Sequence, residues 1–160
     1  MTIAEFDHLE IKTKKELLHD CCCCEAWVKS MLTVFPVNDL IDLLEYAEEK
    51  WYECNAAEWL EVFHQHPTVN PLNDTTKSFI SAEPGLSDFS KEQLEALESG
   101  STQYEDIFGY NFIIFTKGRT VNEVITLLKK RLENNPKDEL LIAAAEQNRI
   151  NQSRLQKLFV

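Results

Sequence analysis

Residues 37 to 54 read VNDLIDLLEYAEEKWYEC, and this stretch carries the clearest signal for the fold. Apolar side chains recur along it every three or four positions, the period of an α-helix with one buried face. That stripe consists of Leu40, Leu43, Leu44, Ala47 and Trp51. Asn38 stands just before it and suits the N-cap position. The stretch therefore predicts an amphipathic helix whose apolar face has to be covered by other elements.

The sequence on either side of this helix has the same period. Residues 9–32 predict one helix, and Phe35-Pro36 separates it from the next, because proline cannot continue a helix. A short helix is predicted over residues 56–65. The following segment, residues 70–89, contains two prolines and a glycine and predicts a long irregular connection, a kind of segment that often carries function.

Two capping boxes mark helix starts in the second half of the chain. Ser90 with Gln93 opens SKEQLEAL, and Thr120 with Glu123 opens TVNEVITLLKKRLEN. Residues 99–110 between these helices predict a second connection. Residues 137–159 predict one long terminal helix.

The sequence lacks a convincing pair of strands. The run FIIF at 112–115 has strand character, but no second run could pair with it. No internal repeat and no linker is visible. The prediction is an all-α fold, a single compact domain over residues 1–160 with roughly seven or eight helices.

Charge and hydropathy exclude several classes of partner. The formal net charge is −11 and no block of Lys and Arg occurs. Nucleic acid and anionic membranes both require a positive surface, so neither is an expected partner. The sequence has no secretory signal and no apolar run near the ~20 residues that a membrane span needs.

The cysteine pattern is Cys21 to Cys24 in a row plus Cys54. An odd count with four adjacent residues argues against disulfides and for a reducing, cytoplasmic location. A zinc site is the alternative interpretation. It is disfavoured because neighbouring residues on a helix point ~100° apart, which prevents four sulfurs from converging. We therefore expect reduced cysteines that pack as small apolar residues and bind no metal.

The most ambiguous polar residue is His66, in FHQHPTVN at 63–70. Trp59, Phe63 and His66 fall at i, i+4 and i+7, so the imidazole continues an apolar stripe at the end of a helix. An imidazole titrates near neutral pH and can relay a proton. It can also simply bond the last carbonyls of a helix before Pro67. The residues alone leave both roles open.

Arg154 also stands out, because Ile150, Arg154 and Leu158 lie on one stripe of the terminal helix. A guanidinium directed along an apolar line is costly unless it is paired. A substrate carboxylate or urea carbonyl would suit its planar fork. The alternatives are an ion pair with an acidic residue such as Glu146, or a side chain that extends to water.

Three stretches together resemble the family of 2-oxo-4-hydroxy-4-carboxy-5-ureidoimidazoline (OHCU) decarboxylases, which catalyse the last step from urate to allantoin. They are CCCCEAWVKSM, WYECNAAEWLEVFHQHPTVN, and FGYNFIIFTKGRT followed by RLENNPKDELLIAAAEQNRINQSRL. The resemblance covers almost the whole chain. Asn70 replaces a family glycine, and residues 94–103 look about ten residues shorter than in the family.

The resemblance implies a decarboxylase that uses no metal and no organic cofactor. It implies catalytic roles for His66 and Glu92. It also implies contact of the ureidoimidazoline substrate with Pro67, Ser90, Gln93, Phe112, Ile113, Ile114, Phe115, Thr116 and Arg154. For Glu92, Ser90 and Gln93 the alternative is a purely local role at a helix start. The family also implies a homodimer.

Two other functions compete with the decarboxylase. Asn70 in place of glycine motivates an inactive homologue that binds a ureide or another small ligand. The acidic composition would also permit a helical interaction protein with no small-molecule site.

Overall fold

The helices begin and end at local signals that the sequence displays. The structure, a computed structural model, describes residues 1–65 and 90–159. The described residues form eight helices: α1 (Ile3–Asp7), α2 (Ile11–Cys21), α3 (Glu25–Val34), α4 (Leu40–Glu53), α5 (Ala56–Gln65), α6 (Lys91–Phe108), α7 (Val121–Arg131) and α8 (Pro136–Leu158). No strand occurs in the described ranges. The all-α class predicted from the sequence is confirmed.

The capping boxes are confirmed at both predicted places. The Ser90 hydroxyl accepts a hydrogen bond from the Gln93 amide at 3.1 Å, and Thr120 does the same for Glu123 at 3.2 Å. The prediction for α4 was wrong by one residue. Asp39 is the N-cap and accepts from the Asp42 amide, whereas the Asn38 side chain donates to the Asp42 carboxylate.

Contacts divide the chain into two units, of which the first comprises Met1–Val62 and Ala145–Val160. In it α2 packs on α3, and α3 packs on α4. Indole nitrogens tie the packed helices together: Trp27 donates to the carbonyl of Ala47 and Trp59 to that of Trp51, both at 3.0 Å. The predicted stripe of α4 is buried at Leu43, Ala47 and Trp51.

The cysteine run interrupts what the sequence predicted as one helix over residues 9–32. Cys22 and Cys24 have extended backbone, with φ −150° and −108°, so α2 ends at Cys21 and α3 begins at Glu25. The argument that the four cysteines point around one helix was therefore wrong. Cys21, Cys22 and Cys24 are buried and Cys23 is half-buried, and all five cysteines are free thiols. Their packing as small apolar residues agrees with the prediction.

The second unit comprises Phe63–Ala144. In it α6 packs on α7, and Gly100 of α6 faces Leu128 of α7. A Cβ at Gly100 would lie 2.5 Å from Cδ2 of Leu128, so a larger residue there requires the Leu128 side chain to shift. The prediction of a connection over residues 99–110 was wrong, because α6 runs to Phe108. Burial of Leu97 and Tyr104 offsets the roughly 1 kcal/mol that a mid-helix glycine costs.

Candidate active site

The predicted site residues at the start of α6 lie within one helical turn. Ser90 and Glu92 are exposed, and Gln93 is half-buried. The Gln93 side chain accepts from the Ser90 amide at 2.9 Å and donates to the Asn122 side chain at 2.9 Å. The local capping role that the sequence allowed for Ser90 and Gln93 is therefore present. A role in substrate binding would have to be additional.

Residues 110–116 connect α6 to α7 without regular secondary structure and are almost entirely buried. The run Phe112, Ile113 and Ile114 is at most 2% exposed, and Thr116 is 5% exposed. The strand character of this run is thus not realised in the structure. The run is a buried apolar segment.

Two guanidinium groups hold the backbone of this segment. Arg131 donates from Nη1 to the carbonyl of Ile113 at 2.6 Å, and Arg119 donates from Nη1 to the carbonyl of Phe115 at 2.8 Å. The Arg131 guanidinium also lies over the Phe112 ring, 4.6 Å from its centroid. These contacts fix a buried chain segment that has no helical or sheet hydrogen bonds of its own.

A buried ion pair lies behind the segment. The Arg131 guanidinium is 2.6 Å from the Glu139 carboxylate, and their side chains are 5% and 0% exposed. The Tyr104 hydroxyl donates to Glu139 at 2.6 Å, and the Asn134 amide donates to it at 3.0 Å. Burial raises the pKa of Tyr104 far above its usual range, with the nearby Arg131 charge opposing that shift. The phenol therefore stays protonated and serves as a donor.

Sequence reasoning missed this network. Arg131 and Glu139 occur in stretches that match the family, but as charged residues near helix ends they gave no sign of burial. Tyr104 is 35 residues from its partner Glu139 in the sequence. The only available signal was the spacing of Val121, Val124, Leu128 and Arg131, which places the arginine on the buried stripe of α7.

Arg154 belongs to the first unit and is half-buried. Its Nη1 donates to the carbonyl of Cys21 at 3.1 Å. Within residues 1–65 and 90–159 it makes no ion pair. The predicted alternative partner, Glu146, lies instead 3.9 Å from Arg149. The described structure therefore gives Arg154 a backbone anchor without a neutralising carboxylate.

Polar side chains are buried on the same terminal helix. Asn148 donates to the Glu48 carboxylate at 2.7 Å, and Gln152 donates to the carbonyl of Leu44 at 2.8 Å. Gln147 donates to Asn151 at 2.9 Å, and both side chains are at most 1% exposed. This polar packing orients α8 within the first unit, and with it Arg154.

Part of the predicted site lies outside the described residues, namely His66 and Pro67. Asn70, which replaces a family glycine, lies outside them as well. Ser90, Glu92 and Gln93 share a turn, and Phe112 to Thr116 are contiguous in the same unit.

No group of three or more His, Cys, Asp or Glu in the described part of the chain is arranged to hold a metal ion. No described helix is long and apolar enough to cross a membrane.

Comparisons with known proteins find similarity over most of this chain. Residues 7–156 match the family model for OHCU decarboxylase. The uric acid degradation bifunctional protein TTL of Arabidopsis thaliana is 33% identical over 147 residues, which are 87% of this chain and 45% of that protein. The uric acid degradation bifunctional protein of Bacillus sp. (strain TB-90) is 27% identical over 125 residues, 76% of this chain and 23% of that protein. The chain thus spans less than half the length of these relatives.

Two solved structures have the same fold. A crystal structure of OHCU decarboxylase in the presence of (S)-allantoin superposes with a TM-score of 0.77 and 33% identity, covering 88% of this chain and 95% of that one. A crystal structure of (S)-allantoin synthase superposes with a TM-score of 0.78 at 15% identity, covering 99% of this chain and 54% of that one. The second likeness supports the fold alone. With a family model that matches residues 7–156, this chain belongs to the OHCU decarboxylase family.

Proposed function

We propose that this protein is a cofactor-free carboxy-lyase that converts OHCU to (S)-allantoin in urate degradation. The observation that carries the proposal is the family match over residues 7–156, together with the 33% identical structure crystallised in the presence of (S)-allantoin. Two features of the described residues support the proposal: the backbone segment 112–116 is almost entirely buried, and Arg154 is half-buried and bonds the carbonyl of Cys21 without a described carboxylate partner.

The reaction requires control over one carbon atom. The bond between the ring carbon and the carboxylate breaks and CO2 leaves, while the electron pair stays in the ring as an enolate. The hydroxyl proton leaves, and a proton adds to one face of the carbon that carries the ureido group. Catalysis therefore needs a proton carrier, groups that stabilise negative charge, and exclusion of water.

The predicted residues divide these tasks. His66 relays the proton, and Glu92 orients its imidazole and stabilises the charged form. Arg154 binds the anionic group through its guanidinium fork. Ser90, Gln93 and Pro67 contact the substrate, and the main chain of Phe112 to Thr116 reads the edge of its ring. These roles remain predictions, and two of these residues lie outside the described ranges.

The test is the handedness of the product. The wild-type chain is mixed with freshly generated substrate, and allantoin is followed by circular dichroism, since the uncatalysed reaction gives both hands. We expect rapid formation of one hand. His66→Ala should lower turnover by about 10²–10⁴-fold with substrate binding largely kept.

His64→Ala is the matched control for that variant. His64 is exposed on the last turn of α5, two residues away, so its loss should leave turnover unchanged. If His66→Ala produced one hand at a rate near wild type, His66 would only end a helix. If the wild type gave racemic allantoin yet bound (S)-allantoin in calorimetry, the inactive ligand-binding homologue would be favoured instead. Failure of both would favour the helical interaction protein.

A homodimer and a cytoplasmic location are further parts of the proposal. The family resemblance supports the dimer, and the free thiols support a reducing compartment. Light scattering on the purified chain and fractionation of expressing cells test these two points separately.

A further inference from the structure

The C-terminal end of α5 is tied to a distant part of the chain by one side chain. The Asn111 amide donates from Nδ2 to the carbonyl of Phe63 at 3.0 Å and to that of His64 at 3.4 Å. Asn111 is 9% exposed and Phe63 is completely buried. The 3.0 Å bond to Phe63 is the stronger of the two, because hydrogen bonds weaken toward 3.5 Å.

These carbonyls are the groups that a helix end leaves without partners. The last four carbonyls of an α-helix have no intrahelical donor and need a cap, water or another side chain. In α5 a side chain from 48 residues further along the chain supplies that donor to Phe63. Asn111 therefore serves as a side-chain cap for two of the last four carbonyls of α5, those of Phe63 and His64.

The segment that carries Asn111 is itself held firmly. Its neighbour Phe112 stacks under the Arg131 guanidinium, and the carbonyl of Ile113 accepts a bond from the same group. Tyr110, on the other side, packs against Phe63 with ring centroids 5.3 Å apart. Asn111 therefore links the end of α5 to a buried segment that cannot easily move, which is what a positioning group requires.

We infer that Asn111 is a positioning residue for the decarboxylation, acting by fixing the last turn of α5 from which the chain continues, after Gln65, to His66. This inference rests on the proposed function. A misplacement of a catalytic group by about 1 Å can cost on the order of 100-fold in rate. Loss of the tether should therefore lower kcat while KM, which depends on the other contacts, changes little.

The test compares Asn111→Ala with Thr120→Ala. Thr120 also completes the hydrogen bonds of a helix end in the same unit, where its hydroxyl accepts from the Glu123 amide at 3.2 Å, and it is not one of the predicted site residues. We expect Asn111→Ala to lower kcat at least about tenfold with KM within about twofold. Thr120→Ala should keep the wild-type kcat at a similar loss of stability, about 1 kcal/mol. Asn111→Ser, which retains one donor, should recover part of kcat, whereas Asn111→Asp, whose carboxylate only accepts, should not.

A second measurement does not depend on activity. Amide hydrogen exchange in peptides that cover the last turn of α5 should be up to about tenfold faster in Asn111→Ala than in Thr120→Ala, since a local opening loses its restraint. Equal exchange, or equal kcat in the two folded variants, would overturn the inference. A wild-type chain that gives racemic allantoin would instead overturn the proposed function and with it the catalytic half of this inference, and the exchange result would still decide whether Asn111 restrains α5.

Discussion

Arg131 in the second unit and Arg154 in the first are both arginines on helices whose neighbours are apolar, yet their surroundings differ. The Arg131 side chain is 5% exposed and contacts a carboxylate at 2.6 Å, a carbonyl and two aromatic rings. Arg154 is half-buried and, among the described residues, bonds only the carbonyl of Cys21. An arginine presents five N–H donors. Glu139 neutralises the Arg131 guanidinium. The Arg154 guanidinium, by contrast, is suited to bind an anionic ligand.

Removing the internal counter-ion is the most severe test of this contrast. Glu139→Gln leaves the Arg131 charge buried without a carboxylate, so we expect it to destabilise the protein by about 3–5 kcal/mol, measured by urea unfolding. Glu95→Gln in the same unit is the control. The Lys91–Glu95 pair is 4.0 Å apart with side chains 90% and 67% exposed, so its loss should be barely measurable. A Glu139→Gln protein as stable as the control would show that Arg131 is not dependent on its ion pair.

Alkaline pH probes the surroundings of Arg154. Burial raises the pKa of Cys21 to about 11, against an opposing contribution from the Arg154 charge. In the unfolded chain the thiol ionises near pH 9, while the folded protein keeps it neutral. Stability is therefore complete below pH 9 and falls by roughly 3 kcal/mol as the pH rises toward 11. Urea unfolding at pH 8, 9 and 10 measures this loss, and Cys21→Ala should reduce it.

The same titration tests the Arg154 contact directly. If the guanidinium acts on Cys21 as the structure indicates, Arg154→Gln should raise the pKa of the thiol further. Ultraviolet absorbance of the thiolate follows the change. An unchanged Cys21 titration would mean that the Arg154 charge is directed elsewhere.

Substrate binding should respond to Arg154 more than stability does. A hydrogen bond to a charged group contributes about 1.5–3 kcal/mol, so Arg154→Gln should raise KM roughly 10- to 150-fold. The free energy of unfolding should change by less than about 1 kcal/mol, because no described carboxylate is left without its partner. Arg149→Gln on the same helix is the control, since the Arg149 side chain is 52% exposed. Equal KM values for the two variants would remove Arg154 from the site.

The smallest expected effect separates capping from binding at the start of α6. Ser90→Ala and Thr120→Ala each remove the hydroxyl of a capping box in the second unit, and each should cost about 1 kcal/mol in unfolding. If Ser90 also contacts substrate, only Ser90→Ala raises KM. If the two variants have the same KM, the role of Ser90 is limited to the helix.

Local sequence signals predicted the local structure well. The period and caps of α5, α7 and α8 lie within the sequence of each helix, and the all-α class follows from them. The break at Cys22 to Cys24 was missed because no proline or glycine marks it in the sequence. Residues 99–110 were wrongly predicted as a connection because Gly100 packs against Leu128 of another helix, a contact that the local sequence does not display.

The same contrast between local signals and tertiary contacts applies to the predicted site. The resemblance to the family predicted a substrate contact for the segment 112–116 and for Arg154, and both lie within the described residues. It did not point to Asn111 or to the Arg131–Glu139 pair: Asn111 contacts residues 47 and 48 positions away, and the side chains of the pair are 5% and 0% exposed. Such pairings depend on how elements meet, and a single sequence carries no local trace of them.

The thiols next to the extended backbone at Cys22 to Cys24 allow local opening of this part of the chain to be measured by alkylation. Cys23 is half-buried and the three thiols around it are buried, so a thiol reagent reaches Cys23 first. Lys15 and Lys29 bracket all four on one tryptic peptide. The mass of that peptide after timed alkylation counts the labels: one label arrives from the native state, and each further label arrives only when this part of the first unit opens. The rate at which further labels appear therefore measures the rate of local unfolding beside Arg154.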